Sequence, residues 1–386
     1  MAERILDFPP ATLPADVGAL RAAVRQFLRE ERAAGRIAEP RAIGMGFDAD
    51  FSRRCGARGY IGMTWPVAYG GAERSALERY VVTEELLAAG APVRGHWTSD
   101  RQSGPVILRY GTAAQKRRYL PPIARGECFF CIGLSEAAAG SDLAAIRTHA
   151  RRTGTGWLLN GSKLWTTNAH RSHHMIALCR TAPAGTQRHH GLSQFIVELS
   201  LPGVAVRPIV NMAGEREFNE VTFTDVLLAE DALLGTLDGG WQQLSAELAY
   251  ERSGPERWLT TFRLLAELNA VCAAQLDDTR RQEFGRLYAQ LLTLREMSLS
   301  IAGMLQRGAT PNLQAAIVKD LGTQLERDVI ATARDVVAAA DGPHSAQGAA
   351  LRALLDSALL YSPALGIRGG TVEILRNTIA KGLMPR

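Results

Sequence analysis

Trp157-Leu158-Leu159-Asn160-Gly161-Ser162 marks a change in the character of the chain. An apolar run ends on Asn-Gly, the pair favoured in two-residue hairpin turns because both central positions need positive φ. Outward from it lie short runs rich in β-formers: Phe195-Ile196-Val197-Glu198, Val204-Ala205-Val206 and Val221-Thr222-Phe223, each set between Gly, Pro or Asn. The spacing predicts an antiparallel β-domain over 129–240. On either side the period is helical. Leu20 to Arg32 and Leu77 to Ala88 carry apolar residues at helical spacing, and Gly111 to Lys116 reads as a cap with a short helix behind it. Trp65 to Gly71 is a turn-rich loop between such segments. After Gly239-Gly240 helix returns, through Leu259 to Ala274, Phe284 to Leu305 and Leu313 to Ala340. The expected fold is α+β, with a helical domain 1–128, a β-domain 129–240 and a helical domain 241–386.

Composition narrows the function. A chain of 386 residues is long enough for about two to three domains. No apolar stretch reaches the length of a membrane span, and the first residues lack the pattern of a secretory signal. The net charge of +5 invites a nucleic-acid reading, but the arginines are interleaved with acids, as in Arg29-Glu30-Glu31-Arg32. No basic block with aromatics stands out, so nucleic acid is not an expected partner. Lysine occurs only at Lys116, Lys163, Lys319 and Lys381. Cys55, Cys128, Cys131, Cys179 and Cys272 form no disulfide framework, which fits a reducing, cytoplasmic setting. Cys128-Phe129-Phe130-Cys131 is a lone C-x-x-C, and His170, His173 and His174 do not complete zinc spacing. No metal site is expected. Rossmann, P-loop, nucleophile-elbow and H-E-x-x-H motifs are all missing.

Four segments then coincide in order and spacing. They are Gly133-Leu134-Ser135-Glu136-Ala137-Ala138-Ala139-Gly140-Ser141-Asp142, Asn160-Gly161-Ser162-Lys163-Leu164-Trp165-Thr166-Thr167-Asn168, Arg281-Gln282-Glu283-Phe284-Gly285 and Gly369-Gly370-Thr371-Val372-Glu373-Ile374-Leu375-Arg376-Asn377. Together they resemble the acyl-CoA dehydrogenase family of flavoproteins, from the Trp65 loop to the C-terminus. The resemblance implies an N-terminal helical domain, a middle β-barrel-like domain and a C-terminal four-helix bundle. It also implies FAD, held without a Rossmann motif. A flavin needs orientation and electrostatics from its protein. The turn from Leu134 to Ser141 offers backbone N–H groups and the Ser135 hydroxyl to the ring's pyrimidine edge, with Gly140 allowing close backbone approach. By the same resemblance Ser141 lies near the substrate's thioester tail, Trp165 flanks the flavin and Thr167 bonds its reactive edge. The competing reading makes Trp165 a core aromatic and Thr167 an ordinary strand residue. Arg281 with Phe284 matches a segment that reaches a neighbouring subunit's FAD, where a guanidinium suits pyrophosphate. Thr371 joins the cofactor set.

The chemistry implied is α,β-dehydrogenation of an acyl thioester to the trans-2-enoyl product. It needs a desolvated carboxylate base and a polarised thioester carbonyl. Most members carry the base two residues before the threonine of the fourth segment, but that position is Gly369 here. A minority, including branched-chain and long-chain types, carries it on another helix, opposite a glycine. The corresponding residue is Glu251 in Ala249-Tyr250-Glu251-Arg252-Ser253-Gly254-Pro255. Glu251 is thus the expected base and Gly369 an expected backbone donor to the carbonyl. Glu247 and Glu256 are weaker candidates, one or both expected to face solvent. His96 and Trp97 are read either as lining the acyl cavity or, for His96, as a satisfied core histidine.

A second departure lies at Val337 to His344, where the family's double-glycine turn toward a neighbour's FAD is missing. Expected partners are an acyl-CoA, an electron-transfer flavoprotein as acceptor, and further subunits, as a homodimer, a homotetramer or a mixed oligomer with a related chain. The rival readings are a non-catalytic or half-site partner subunit, and an enzyme acting on carrier-protein-bound acyl groups.

Overall fold

The computed structural model describes residues 6–183, 187–244, 254–272, 274, 276–339 and 346–384. In chain order the elements are α1 (Val17–Ala33), α2 (Ala49–Ala57), α3 (Ala76–Ala88), α4 (Arg94–Thr98), α5 (Gly104–Tyr110), α6 (Ala113–Ala124), β1 (Phe130–Gly133), β2 (His149–Arg152), β3 (Gly156–Thr167), β4 (His174–Arg180), β5 (Leu192–Glu198), β6 (Val204–Ile209), β7 (Phe218–Ala229), β8 (Leu233–Leu234), α7 (Phe262–Cys272), α8 (Asp278–Gln306), α9 (Asn312–Ala339), α10 (Ala346–Leu365) and α11 (Val372–Leu383). The helix–β–helix order follows the change of period in the sequence.

The chain divides into two compact units. One draws on residues 1–47, 74–93 and 249–386, the other on 48–73 and 94–248. In the first, α3 starts on a capping box in which Ser75 accepts from Glu78 N–H and Glu78 accepts from Ser75 N–H. Asp277 caps α8 through Arg280 N–H. The core is a layer of leucine and valine from the helices, including Leu264 and Leu268 of α7, Leu287 and Leu294 of α8, Val329 of α9 and Leu354 of α10. Each such side chain contributes about 1.5–3 kcal/mol when fully buried.

The second unit is built on an eight-stranded sheet in the order β6-β7-β3-β2-β4-β5-β8, with β1 added beside β4. Most pairings are antiparallel, as the alternation implied, but β1 runs parallel to β4 and β2 meets β4 in parallel at His149 and Arg180. The sheet core packs Trp157 edge-on to Phe195, with centroids 5.1 Å apart, among Leu159, Ala177, Val197 and Val221.

The Asn160-Gly161 hairpin turn is not there. Both residues lie inside β3, and the connection from β2 to β3 instead runs through Thr153 to Gly156, with Thr153 N–H bonded to Gly156 O. The β3–β7 register slips between Leu159 and Gly161. Gly161 has φ +132°, and a Cβ there would stand 2.6 Å from Thr148 Cα. Across the slip the Asn160 side chain donates to Asp225 Oδ1 and accepts from Asp225 N–H. A glycine and a short amide side chain that suit a tight turn can equally serve a bulge.

Candidate active site

The segments singled out in the sequence fall into both units, and each half has its own geometry. In the sheet unit, β3 carries a second slip against β7 between Lys163 and Thr166. Here Leu164 N–H leaves the ladder and bonds Ser135 O at 2.8 Å, so the loop after β1 hangs on the bulge of β3. Trp165 adopts φ +61°, a conformation that costs a bulky residue about 1–2 kcal/mol. Its side chain is 56% exposed and stands edge-on to Phe218, so it is not a core aromatic. Thr167 pairs with Phe218 at the strand's end. Ser135 and Thr167 are half-buried, and Gly140 and Ser141 are exposed. The hydroxyls of Ser135, Ser141 and Thr167 and the Trp165 indole N–H have no partner among the described residues. A Cβ placed on Gly140 would meet nothing within 4 Å, so the space beside that backbone is open. Unpaired donors, an exposed flat ring and open backbone fit a planar ligand with polar edges.

In the helical unit, Thr371 caps α11 by accepting from Ile374 N–H at 3.4 Å. Gly369 has φ +68°, and a Cβ there would lie 2.9 Å from the Arg257 guanidinium carbon. A glutamate at this position, the family's commoner arrangement, would displace Arg257 as well as strain the turn. The preceding residue anchors the turn. Arg368 Nη2 donates to Glu326 Oε2 at 2.6 Å and to Thr260 Oγ1 at 2.8 Å, and Glu326 Oε1 accepts from Thr260 N–H at 3.0 Å. Burial works to lower the Arg368 pKa, but the Glu326 carboxylate foremost raises it above the usual arginine value. Arg281 on α8 is 60% exposed, with only Asp278 at 3.7 Å. Phe284 is buried in its own unit's core, so in this chain it packs inward.

Glu251 and Glu247 lie outside the described residues, as does most of the altered turn, 340–345. Glu256 is buried at 4% exposure, so of the two weaker candidates it is not one that faces solvent. Its neighbour Pro255 opens a helical turn that folds inward, whereas the charge pattern alone suggested a surface. His96 is also buried, with Nδ1 2.9 Å from Ser52 Oγ. The Ser52 hydroxyl gives its single proton to Asp48 O, so Nδ1 of His96 is the donor. Burial drives this imidazole down to about 4, opposed by Asp100, and it is neutral at pH 7. It reads as a satisfied core histidine. Cys128 sits 3.6 Å from His174 Nδ1, but burial pushes both Cys128 and Cys131 up to about 12, so neither thiol is activated.

The Lys163–Glu136 pair was missed as a feature of the site. Lys163 is fully buried and bonds Leu134 O and Glu136 Oε1. The signal was available: a lysine in a chain almost without lysine, on an apolar strand.

Comparison with known proteins gives one consistent result. Family models for the acyl-CoA dehydrogenase N-terminal, middle and C-terminal domains match residues 15–127, 131–226 and 238–384. The chain is 33% identical to the acyl-CoA dehydrogenase IpdE1 of Mycobacterium tuberculosis, over 86% of each chain. It is 29% identical to the mouse long-chain specific mitochondrial acyl-CoA dehydrogenase, over 76% of this chain and 70% of that one. Among solved structures it superposes on the Tcur3481-Tcur3483 steroid ACAD with TM-score 0.84 and 27% identity, covering 99% of this chain and all of that one. The ChsE4-ChsE5 complex from Mycobacterium tuberculosis gives TM-score 0.82 at 27% identity, covering 98% of this chain and 100% of that one. The N-terminal helical, middle β-sheet and C-terminal helical parts, in that order, and the motif segments of both units are those of one enzyme class: this chain belongs to the acyl-CoA dehydrogenase family of oxidoreductases.

Proposed function

We propose that the chain is a catalytic FAD-dependent acyl-CoA dehydrogenase with its base on the segment before α7, in three domains at 1–128, 129–240 and 241–386. The observation that carries the cofactor is the row of unpaired donors at Ser135, Thr167 and Trp165 beside open backbone at Gly140. Bound FAD supplies the acceptor for the β-hydrogen, which leaves as hydride. The rest falls to the chain. Leu134, Ser135 and Thr167 orient the ring through backbone and hydroxyl groups, and Trp165 covers its flank. Arg281, exposed on α8, suits the pyrophosphate of a cofactor in a neighbouring subunit. Thr371, which caps α11, is taken as a further cofactor contact, and Ser141 meets the substrate near its thioester.

The Glu251 carboxylate takes the α-proton onto its oxygen as the hydride departs, and Gly369 N–H polarises the thioester carbonyl. The environment of Gly369, where Arg257 fills the place of a side chain, supports a base carried elsewhere than at 369. The acyl group is read as branched, long or cyclic. Relatives named as long-chain specific and structures titled steroid ACAD agree with that class. An electron-transfer flavoprotein is the proposed acceptor.

The oligomer is proposed from exposed apolar residues on the C-terminal helices and the turn between them, including Leu359, Leu360, Ile367 and Ile374. A half-site subunit of a mixed oligomer is the second reading, favoured by the two-chain titles Tcur3481-Tcur3483 and ChsE4-ChsE5. No described helix is long and apolar enough to cross a membrane.

The test is the visible spectrum of the purified chain during titration with a panel of acyl-CoAs, first as wild type and then as Glu251→Gln. Bound flavin that bleaches in the wild type, and at least about 1000-fold more slowly in the variant, is the expected result. Flavin that bleaches equally fast in Glu251→Gln overturns the base assignment. Flavin acquired only on co-expression with a second chain favours the half-site reading.

A further inference from the structure

We infer that the buried Lys163–Glu136 ion pair is the positioning device that holds the 134–136 loop in register with Trp165 and Thr167, and so sets the cofactor-binding face. The inference rests on the flavin reading above for what that face binds, but the brace itself is visible in the protein. Lys163 is 0% exposed and lies one residue before the bulge of β3. Its Nζ donates to Leu134 O at 3.1 Å and to Glu136 Oε1 at 2.9 Å. Room for its stem comes from Gly133, where a Cβ would stand 3.1 Å from Lys163 Cγ and 2.4 Å from Met175 Sδ.

The carboxylate is held from a third direction. Glu136 Oε2 accepts from Arg147 N–H at 2.7 Å and Oε1 from Thr148 N–H at 2.9 Å. Thr148 Oγ1 then donates to Ser162 O, which returns the network to β3. One carboxylate therefore joins the loop after β1, the segment before β2 and, through lysine, the strand that carries Trp165.

The electrostatics suit a permanent brace. Burial pushes the Glu136 carboxyl up, but the Lys163 charge and the bonds from Arg147 and Thr148 outweigh it and hold the carboxyl below the usual range. Burial draws the Lys163 ammonium down, against the pull of Cys179 and Glu136. Removing Glu136 leaves the fully buried Lys163 charge without its counter-ion, and removing Lys163 takes one of the three donors from the Glu136 carboxylate; that mutual dependence makes the pair a joint. Neither residue is a catalytic residue in this reading. Both act on the ring through Leu134, Ser135 and the bulge.

The test uses Lys163→Met, which keeps the stem and removes the charge, with Glu136→Gln, which keeps the shape of the carboxylate, as the second variant should the first fail to fold. Val226→Ala, in the same sheet core but away from the loop, controls for general destabilisation. Amide hydrogen exchange is read on apoprotein, and FAD affinity by titration. In Lys163→Met or Glu136→Gln, exchange at residues 134–139 and 147–148 should quicken about tenfold or more. FAD should bind about ten- to a hundredfold more weakly, the range for a lost hydrogen bond to a charged group. Val226→Ala should leave FAD affinity within about twofold of wild type. Unchanged exchange in both brace variants overturns the brace. Faster exchange with unchanged FAD affinity overturns its role in positioning the cofactor. A wild type that binds no FAD defeats the flavin reading instead, while the exchange result still decides the brace.

Discussion

Replacing Glu326 with glutamine tests how the Gly369 turn is held. Glu326 is 0% exposed and its two oxygens receive Thr260 N–H at 3.0 Å and Arg368 Nη2 at 2.6 Å. The amide of Glu326→Gln can still accept one bond, but the charge that balances Arg368 is gone. Arg368 cannot lose its proton, so its guanidinium, with its side chain 19% exposed, loses its nearest counter-charge and keeps Thr260 Oγ1 as a neutral partner, with the Glu256 charge acting on it from further off. One-sided loss of a buried pair costs about 3–5 kcal/mol. For a unit of roughly 200 residues each kcal/mol shifts the melting temperature by about 2–4 °C, giving a fall of about 6–20 °C. Replacing both partners, as Glu326→Leu with Arg368→Met, removes the stranded charge and should cost less than Glu326→Gln alone. The assay is thermal and urea denaturation of Glu326→Gln, of the double variant and of its two singles, Glu326→Leu and Arg368→Met. A loss below about 1 kcal/mol in Glu326→Gln, or a double variant whose loss equals the sum of the singles, refutes the reasoning.

The remaining predictions concern the sheet unit. Trp165→Ala should change apoprotein stability by less than about 1 kcal/mol, because the ring is 56% exposed, whereas a core tryptophan would cost about 3–5 kcal/mol. A drop of the larger size in urea denaturation restores the core reading. Between pH 6.5 and 4 the protein should lose about 3 kcal/mol through His96, whose native pKa of about 4 lies below its unfolded value of about 6.5. The sign follows from proton uptake: the unfolded chain binds the proton first, so stability is intact above the unfolded value and falls as pH drops toward the native one. His96→Asn, which keeps a donor toward Ser52 without a titrating ring, should flatten that slope, and an unchanged slope in pH-dependent denaturation rejects the assignment. His174, also lowered to about 4 chiefly by burial, accounts for slope that remains.

Much of the architecture was legible in the sequence because it depends on local periodicity. The switch from helical to alternating spacing near Trp157, and back after Gly240, reports which face of each segment is buried, and burial pattern is what separates the two element types. The capping boxes at Ser75 and Thr112 are equally local, since donor and acceptor lie three residues apart. What failed was a local signal with two physical meanings. Asn160-Gly161 supplies a positive-φ glycine beside a short amide, which suits a tight hairpin turn and can equally serve a bulge. The deciding fact is Thr148 packed 2.6 Å from the missing Cβ, twelve or more residues away in the chain. The same limit explains Glu256, which sits beside Arg257 in the sequence yet is buried at 4% exposure in a short turn whose local spacing does not encode its contacts.

The site divides along the same line. Its donors, Ser135, Thr167 and Trp165, could be named from the chain because a motif records residue types at fixed intervals. The joint that holds them could not, since Lys163 and Glu136 are 27 residues apart and neither touches a ligand in the motif reading. A buried lysine on an apolar strand is itself a physical anomaly. It is stable only if a carboxylate and further acceptors meet it, and the acceptors must belong to whichever loop crosses the strand there. At the bulge of β3 that loop is 134–136. The scarcity of lysine in this chain therefore carries information that its charge does not. Where arginine serves almost everywhere else, Lys163 and Lys319, both 0% exposed, mark places where a narrow stem and a compact ammonium fit and a planar guanidinium would not.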